Sequence, residues 1–334
     1  MTDRTNPIPK SQHIIPRLHL QYFVGDKPNG QVWTYDKDAG VSRSAIPEET
    51  AIFTHFYSVE RDDGSYDTSV EEFLAYNESK AAPIYKNIIT HQHPNTHDDR
   101  STFSLFLALL YLRTLAKRND AAKVISRAAQ IHRYAYGSHE NAFRGLIHKL
   151  EEERGEKISS EIQEEVRRRL IDPTWSEILV HKAATLTQLQ SCDKIAHLFF
   201  NMHWIMVTPR NGFFITSDNP IVKHVSPDTI SPIYGDNGFL NKSIQVTFAL
   251  SPQLMLMMAW DRHIPKILEF ERPSVEAWNQ LRALHAEKYL YSHLQHRNIQ
   301  RLADRTRKSR PTLTTQGFGP KEFAAFRVPR KWHV

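Results

Sequence analysis

The segment Thr216-Ser217-Asp218-Asn219-Pro220 puts four polar side chains in a row directly after the apolar stretch Phe213-Phe214-Ile215, and it ends on a proline. A strand that ends in this way holds its polar groups on a stiff support, as a site requires. Pro220 keeps Asn219 extended and stops the turn from winding into a helix. Asp218 is then a carboxylate that could orient a histidine or take a proton itself. Ser217 and Asn219 also have a plainer use, closing the turn through bonds to local backbone.

Two helical patterns supply an acid and a base. In Val70–Ile89 an apolar stripe runs through Val70, Phe73, Leu74, Ala81, Ile84, Tyr85 and Ile88, and is broken by Asn77 and Glu78. Thr102–Lys117 is apolar around almost its whole circumference, which marks a central helix, and Arg113 interrupts it. A buried guanidinium without a partner costs on the order of several kcal/mol, so a carboxylate or anion is expected beside it. Glu78 is the natural partner. The pair either only orders the core, or leaves Arg113 facing a pocket where it holds an anion. His13 is a proton carrier near neutral pH; its plainer role is to cap a short helix starting at Pro16. Asn279 lies at the edge of the Val275/Trp278/Arg282/Ala286 face, where it would bind substrate or tether backbone.

The stretch Ser11-Gln12-His13-Ile14-Ile15-Pro16-Arg17-Leu18-His19-Leu20-Gln21-Tyr22-Phe23, with Gly30–Asp36, Glu78, Leu112-Arg113-Thr114 and Thr216–Pro220, resembles domain-of-unknown-function family 4238. Leu250-Ser251-Pro252 and the Asn279 helix ending in Tyr289-Leu290-Tyr291-Ser292 match as well. The resemblance covers roughly residues 11–292 and implies a mostly bacterial, intracellular protein with no settled activity. The loop at residues 91–100 and the basic tail lie outside it.

Other motifs are weaker. His91, His93, His97, Asp98 and Asp99 could ligate a metal, but they sit in a Pro-interrupted loop where Asp98, Asp99 or Ser101 equally serves as a helix N-cap; no metal and no cofactor are expected. Arg127 and His132 match the Arg-x4-His spacing of a helical ribonuclease superfamily, a spacing that chance supplies readily among 18 histidines and 43 lysines and arginines. Cys192 has no base beside it. There is no Gly-rich phosphate loop and no Gly-x-Ser-x-Gly elbow. Arg167-Arg168-Arg169 follows Glu161, Glu164 and Glu165 as surface pairing.

These residues need a scaffold, and 334 residues suffice for one large domain or two modest ones. Residues 1–66 read as irregular with short strands, 67–203 as helices with joints near 91–100, 137–140, 154–158 and 171–174, and 204–260 as strands. Trp204–Thr208 and Phe213–Ser217 read as a hairpin about Pro209–Gly212. Leu254–Trp260 reads as a central strand. Helix returns at 274–292 and is drawn on toward Arg307. The expected fold is α+β: a predominantly helical single domain over 1–292 with a small antiparallel sheet at about residues 204–260, then a basic extension at 293–334.

One cysteine and the absence of an apolar leader point to the cytoplasm. No apolar run reaches membrane-spanning length, so no membrane is expected; the oligomeric state stays open. The net charge of +6 is uneven: residues 293–334 carry +8, so the rest carries −2. The extension could lie along phosphates or merely aid solubility. The expected function is a hydrolase acting on nucleic acid or a nucleotide, of the kind used in bacterial defence or as a toxin. His13, Glu78 and Asp218 would do the proton work, and Arg113, Ser217, Asn219 and Asn279 would bind substrate. The alternative is a non-catalytic module whose pocket captures an anionic ligand or a protein partner.

Overall fold

The computed structural model describes residues 11–26, 30–54, 56, 59–60, 66–94, 96–172, 188–225 and 238–310. They divide into two compact units, one holding the described residues up to Asn119 and again from 188 onward, the other holding 120–172. Helix α2 (Ser69–His91) carries Pro83 in its interior, and α3 (His97–Leu112) is followed after a two-residue break by α4 (Leu115–Ser138). In the smaller unit, α5 (Glu140–Arg154) and α6 (Ser160–Ile171) join the body of α4. A Cβ on Gly137 would lie 2.7 Å from Ile171 Cγ2, so α4 and α6 approach each other over a glycine. Arg133 closes the end of α6 by donating to the carbonyls of Arg169 and Asp172 at 2.6 and 2.9 Å.

The larger unit is built on sheets. Strands β7 (His203–Pro209), β9 (Ile221–His224), β10 (Gln245–Ser251), β11 (Leu254–Ala259) and β12 (Ile267–Phe270) form a five-stranded sheet in the order β12-β7-β11-β10-β9, antiparallel except for β12 on β7. Side chains alternate across it with period two. Trp204, Met206, Phe248 and Leu256 point to a core shared with α2, α3 and α7 (Cys192–Asn201). Ile205, Val207, Met255 and Met257 point to the other face, where Val275 and Trp278 of α8 (Arg272–His285) pack. Helices on both faces explain why every residue of β11 is buried.

The expectation of one small sheet at residues 204–260 is overturned. Helix does exceed strand, but strands run through most of the larger unit. Strands β2 (Val32–Asp36), β3 (Val41–Ala45), β8 (Thr216–Ser217) and β13 (Tyr289–Ser292) form a second, antiparallel sheet in the order β3-β2-β13-β8. Two-stranded sheets join β1 (Ser11–His13) to β4 (Ile52–Thr54), and β5 (Val59–Glu60) to β6 (Tyr66–Asp67). Two local readings fall with it. The chain from β7 does not fold back as a hairpin, because β7 pairs with β11 and β12 while Thr216–Ser217 pairs with β13. The helix read over 274–292 stops at His285, Tyr289–Ser292 is a strand, and helix resumes only in α9 (Arg297–Arg305). The four-stranded sheet packs Tyr35, Ile215 and Leu290 against Ala283 of α8 and Ile299 and Ala303 of α9. Among the described residues no helix is long and apolar enough to cross a membrane.

A buried polar chain ties the two sheets to the helices. His19, in the four-residue helix α1 (Arg17–Leu20), is fully buried. Its Nδ1 lies 2.9 Å from Tyr85 Oη, Tyr85 donates its hydroxyl proton to the carbonyl of Leu250 at 2.8 Å, and His19 Nε2 lies 2.8 Å from Thr216 Oγ1. A carbonyl only accepts, so Tyr85 spends its proton there. His19 Nδ1–H therefore donates to Tyr85, and Thr216 donates to Nε2. Burial and the positive charges of Arg282 and Arg113 lower the His19 pKa to about 3. An unfolded histidine takes up a proton near pH 6.5 and folded His19 refuses it down to about pH 3, so this residue costs stability progressively as pH falls through that interval. Imidazole nitrogen NMR should find His19 as the neutral Nδ1–H tautomer from pH 7 to the onset of acid unfolding. A His19 signal titrating near 6.5 would show that the chain is not closed.

Candidate functional site

His13 is the third residue of β1, where it pairs with Ile52, and its ring turns to the same neighbouring segment. His13 Nδ1 lies 3.1 Å from the carbonyl of Thr50. That carbonyl requires a proton on Nδ1, so the lone pair of the neutral ring is on Nε2, which has no hydrogen-bond partner among the described residues. Thr50 is itself held, donating its hydroxyl to the carbonyl of Ile46 at 2.8 Å. Burial lowers the His13 pKa, the Thr50 bond raises it, and the charges of Arg17, Glu78 and Arg113 act on it in turn. His13 thus stands within electrostatic reach of Glu78 and Arg113, residues far away in sequence.

Arg17 and Glu78 both line a cleft of about 540 Å³, together with Glu48, Ser79 and Gln21. Arg17 pairs with Glu48, both side chains being largely exposed. Arg113 is 2% exposed and donates from Nη1 to Glu78 Oε1 at 2.5 Å. It stands at the break after α3, and its amide still closes that helix on Leu109. The buried cation therefore neutralises a carboxylate on the cleft wall, while the exposed cation of that wall is Arg17. Pro83 has no N–H for the carbonyl one turn earlier, that of Ser79, which also lines the cleft. Arg17 and Glu48 were not singled out from sequence. The four-residue step from His13 to Arg17 across Pro16, at the start of a helix, is the signal that could have found the first.

Ser217, Asp218, Asn219 and Asn279 lie elsewhere in this unit, along the second half of α8 and just beyond its end. The turn is buried throughout. Asp218 Oδ1 accepts the amide of Glu287 at 2.8 Å, and Oδ2 accepts those of Lys288 and Tyr289 at 2.6 and 2.9 Å. Burial raises its carboxyl to about 6, and the three amides pull it back toward the ionised form. Ser217 Oγ accepts the amide of Asn219 and donates to its carbonyl. Asn219 donates from Nδ2 to the carbonyl of His285 at 3.0 Å. Asn279 accepts the amide of Ile215 and donates to the carbonyl of Phe213. Arg282, 1% exposed, donates to the carbonyl of Pro220 at 3.0 Å, and burial lowers its pKa to about 10. The buried ammonium of Lys37 donates to the carbonyls of Ala283, Ala286 and Ser309 at 2.8, 2.8 and 2.9 Å. Each of these side chains is engaged with backbone, and Asp218 spends both oxygens on amides.

The competing motifs separate clearly. Thr96 caps α3 in a reciprocal box with Asp99, at 3.0 and 3.1 Å, which accounts for Asp99. No cluster of metal-ligating side chains occurs among the described residues. Arg127 donates to Gln130, while His132 is exposed against Tyr136. Burial and Asp193 push the Cys192 thiol up, away from the reactive thiolate. In the extension, Arg307 and Arg310 bond to Asp38, and everything beyond Arg310 lies outside the described residues.

A mixed α+β scaffold with a charged cleft lined by Arg17, Glu48 and Glu78, a half-buried histidine within electrostatic reach of it, and a buried Thr-Ser-Asp-Asn-Pro turn is what the geometry defines. Residues 11–296 match the model of a family described as a protein of unknown function, DUF4238, and the chain belongs to that family. It is a mostly bacterial family. Neither the curated proteins nor the solved structures searched contain a match.

Asp218→Asn preserves size but turns one acceptor into a donor, so at least one of the three amides loses its partner. Urea unfolding should report a loss of about 1–3 kcal/mol. An unfolding midpoint equal to wild type would mean that the amides of residues 287–289 do not depend on the carboxylate.

Proposed function

We propose that the protein is a hydrolase whose base is His13 and whose substrate is a phosphate ester of the nucleotide or nucleic-acid class. The observation that carries this reading is the orientation of His13: Nδ1 is occupied by Thr50, and Nε2 has no partner among the described residues while the ring feels the charges of Arg17 and Glu78, which line the cleft. An imidazole held in that tautomer accepts a proton from water or a hydroxyl without first having to reorient. Arg17 supplies the exposed cation, and an incoming phosphate would exchange for Glu48 as its partner. Glu78 and buried Arg113 set the field around the ring, Glu78 favouring the imidazolium and Arg113 opposing it. The cleft falls in the size range of small-molecule sites, large enough for one nucleotide unit. Ser217, Asp218, Asn219 and Asn279 act in this reading by holding the scaffold.

A sole cysteine with a buried, deactivated thiol fits a reducing compartment, and we place the activity in the bacterial cytoplasm. Use as a defence or toxin effector would follow if such hydrolysis spent the cell's own nucleotides or RNA.

The test is hydrolysis of a panel of nucleotides, oligoribonucleotides and oligodeoxyribonucleotides, read by product chromatography. His13→Gln should lower kcat by about 10²–10⁴-fold, the range assigned to a positioned base, with unchanged melting. Because burial lowers the His13 pKa, the reactive neutral form persists to lower pH, and the acid limb of kcat/KM should fall below the ordinary histidine value of about 6.5. Turnover that survives His13→Gln, or no turnover on any member of the panel, would remove the hydrolase reading and leave a binding module.

A further inference from the structure

We infer that the outer face of α9 is a docking track for the phosphodiester backbone of a nucleic acid, separate from the cleft and serving the substrate class assigned to it. The inference rests on that assignment only for the identity of the bound polymer.

Arg297, Arg301 and Arg305 recur every four residues, so they line one side of the helix, about 6 Å apart along its axis. At about 100° per residue, each lies nearly opposite the buried Ile299 and Ala303, which seat α9 against Tyr35, Ile215 and Leu290. The three guanidinium groups therefore point away from the core, and all three residues are exposed, as is Lys308 in the turn that follows. None of the four makes an ion pair or side-chain hydrogen bond among the described residues. Three guanidinium groups on one face, with Lys308 exposed just beyond the helix and no carboxylate bonded to any of them, repel one another, and a row of phosphates is the complement that relieves this.

The nearby acids are already engaged. Asp304, on the flank of the row, accepts Gln300 Nε2 at 3.0 Å. Asp38 takes Arg310, and its carbonyl takes Arg307, so the cations next along the chain are folded back onto the β2–β3 turn and out of the row. The fold thus sorts six cations into two that anchor the segment and four left facing solvent. The helix is fixed by Tyr35 Oη, which accepts the amide of His296 at 2.7 Å, and by Gln300, which donates to the carbonyl of Gly40. The helix that carries the row is thus bonded into the folded unit.

Binding of a fluorescein-labelled single-stranded oligonucleotide to the full chain, measured by anisotropy across about 50–200 mM salt, tests this. Four phosphate contacts give a slope of log K on log salt near −3, at about −0.7 per contact. The combined variant R297Q/R301Q/R305Q/K308Q should flatten the slope by about 2–3, and the charge-preserving R297K/R301K/R305K should keep it. The four-glutamine variant should still hydrolyse a mononucleotide-sized substrate in the cleft, whereas His13→Gln should bind the oligonucleotide with wild-type slope. Failure of the track and failure of the hydrolase reading are thereby told apart. No oligonucleotide binding, a slope unchanged in the four-glutamine variant with wild-type melting, or binding to phosphatidylserine vesicles in place of the oligonucleotide would overturn the proposal.

Discussion

The chain passes from the four-stranded sheet to the five-stranded one within three residues, Asp218-Asn219-Pro220, and it does so in the interior. Ser217 is paired to Leu290 in one sheet and Ile221 to Phe248 in the other. A crossing this short leaves backbone groups at the end of α8 with no helical or ladder partner, and buried groups of that kind cost about 1–3 kcal/mol each unless satisfied. The turn satisfies them with its own side chains. Asp218 takes three consecutive amides and Asn219 takes the His285 carbonyl, while in return the Arg282 side chain of α8 donates to the backbone carbonyl of Pro220. Lys37 closes the Ala283 and Ala286 carbonyls. The cation sits at the negative end of α8, where the helix dipole favours it, and the carboxylate is held there by the amides that follow.

This clamp explains which parts of the fold local sequence could show. The segment Ala286-Glu287-Lys288 contains good helix formers and no glycine or proline, so local propensity carries the helix on through it. The helix stops because Lys37 takes its carbonyls and Asp218 takes the amides beyond them, from positions about 250 and 70 residues distant. Strand β13 could be seen only after that interruption was known. The small sheets near the N-terminus were hidden for a related reason: β1 and β4 are three residues each, too short for alternation to be distinguished from an irregular segment. The central helix α3, by contrast, is apolar around its circumference and was legible. Arg113 at its end announced a buried partner, and Glu78 is bonded to it.

The chemistry shows the same division. Serine, aspartate and asparagine ahead of a proline suit a catalytic rim and a buried backbone clamp equally well, because both need short, rigid acceptors and donors. Only burial separates the two uses, and burial is a property of the whole unit. His13 and His19 make the contrast sharper. They lie six residues apart, and each is oriented through Nδ1. In His19 both nitrogens are consumed, one by Tyr85 and the other by Thr216. In His13 only one is, by Thr50. The first is a structural link and the second keeps an open lone pair, and nothing in the identity of either residue distinguishes them.

The two histidines are also coupled through the scaffold. His19 stands one helical turn beyond Pro16, and its bond to Thr216 fixes α1 against the strand that leads into the clamp. Arg17, on the same short helix, therefore has its backbone held from within, while its side chain reaches the cleft and Glu48. A four-residue helix has too few internal bonds to hold a position by itself. Its orientation is set by the buried chain Thr216–His19–Tyr85–Leu250, so the Arg17 cation on the cleft wall is held in place by bonds that it does not itself make.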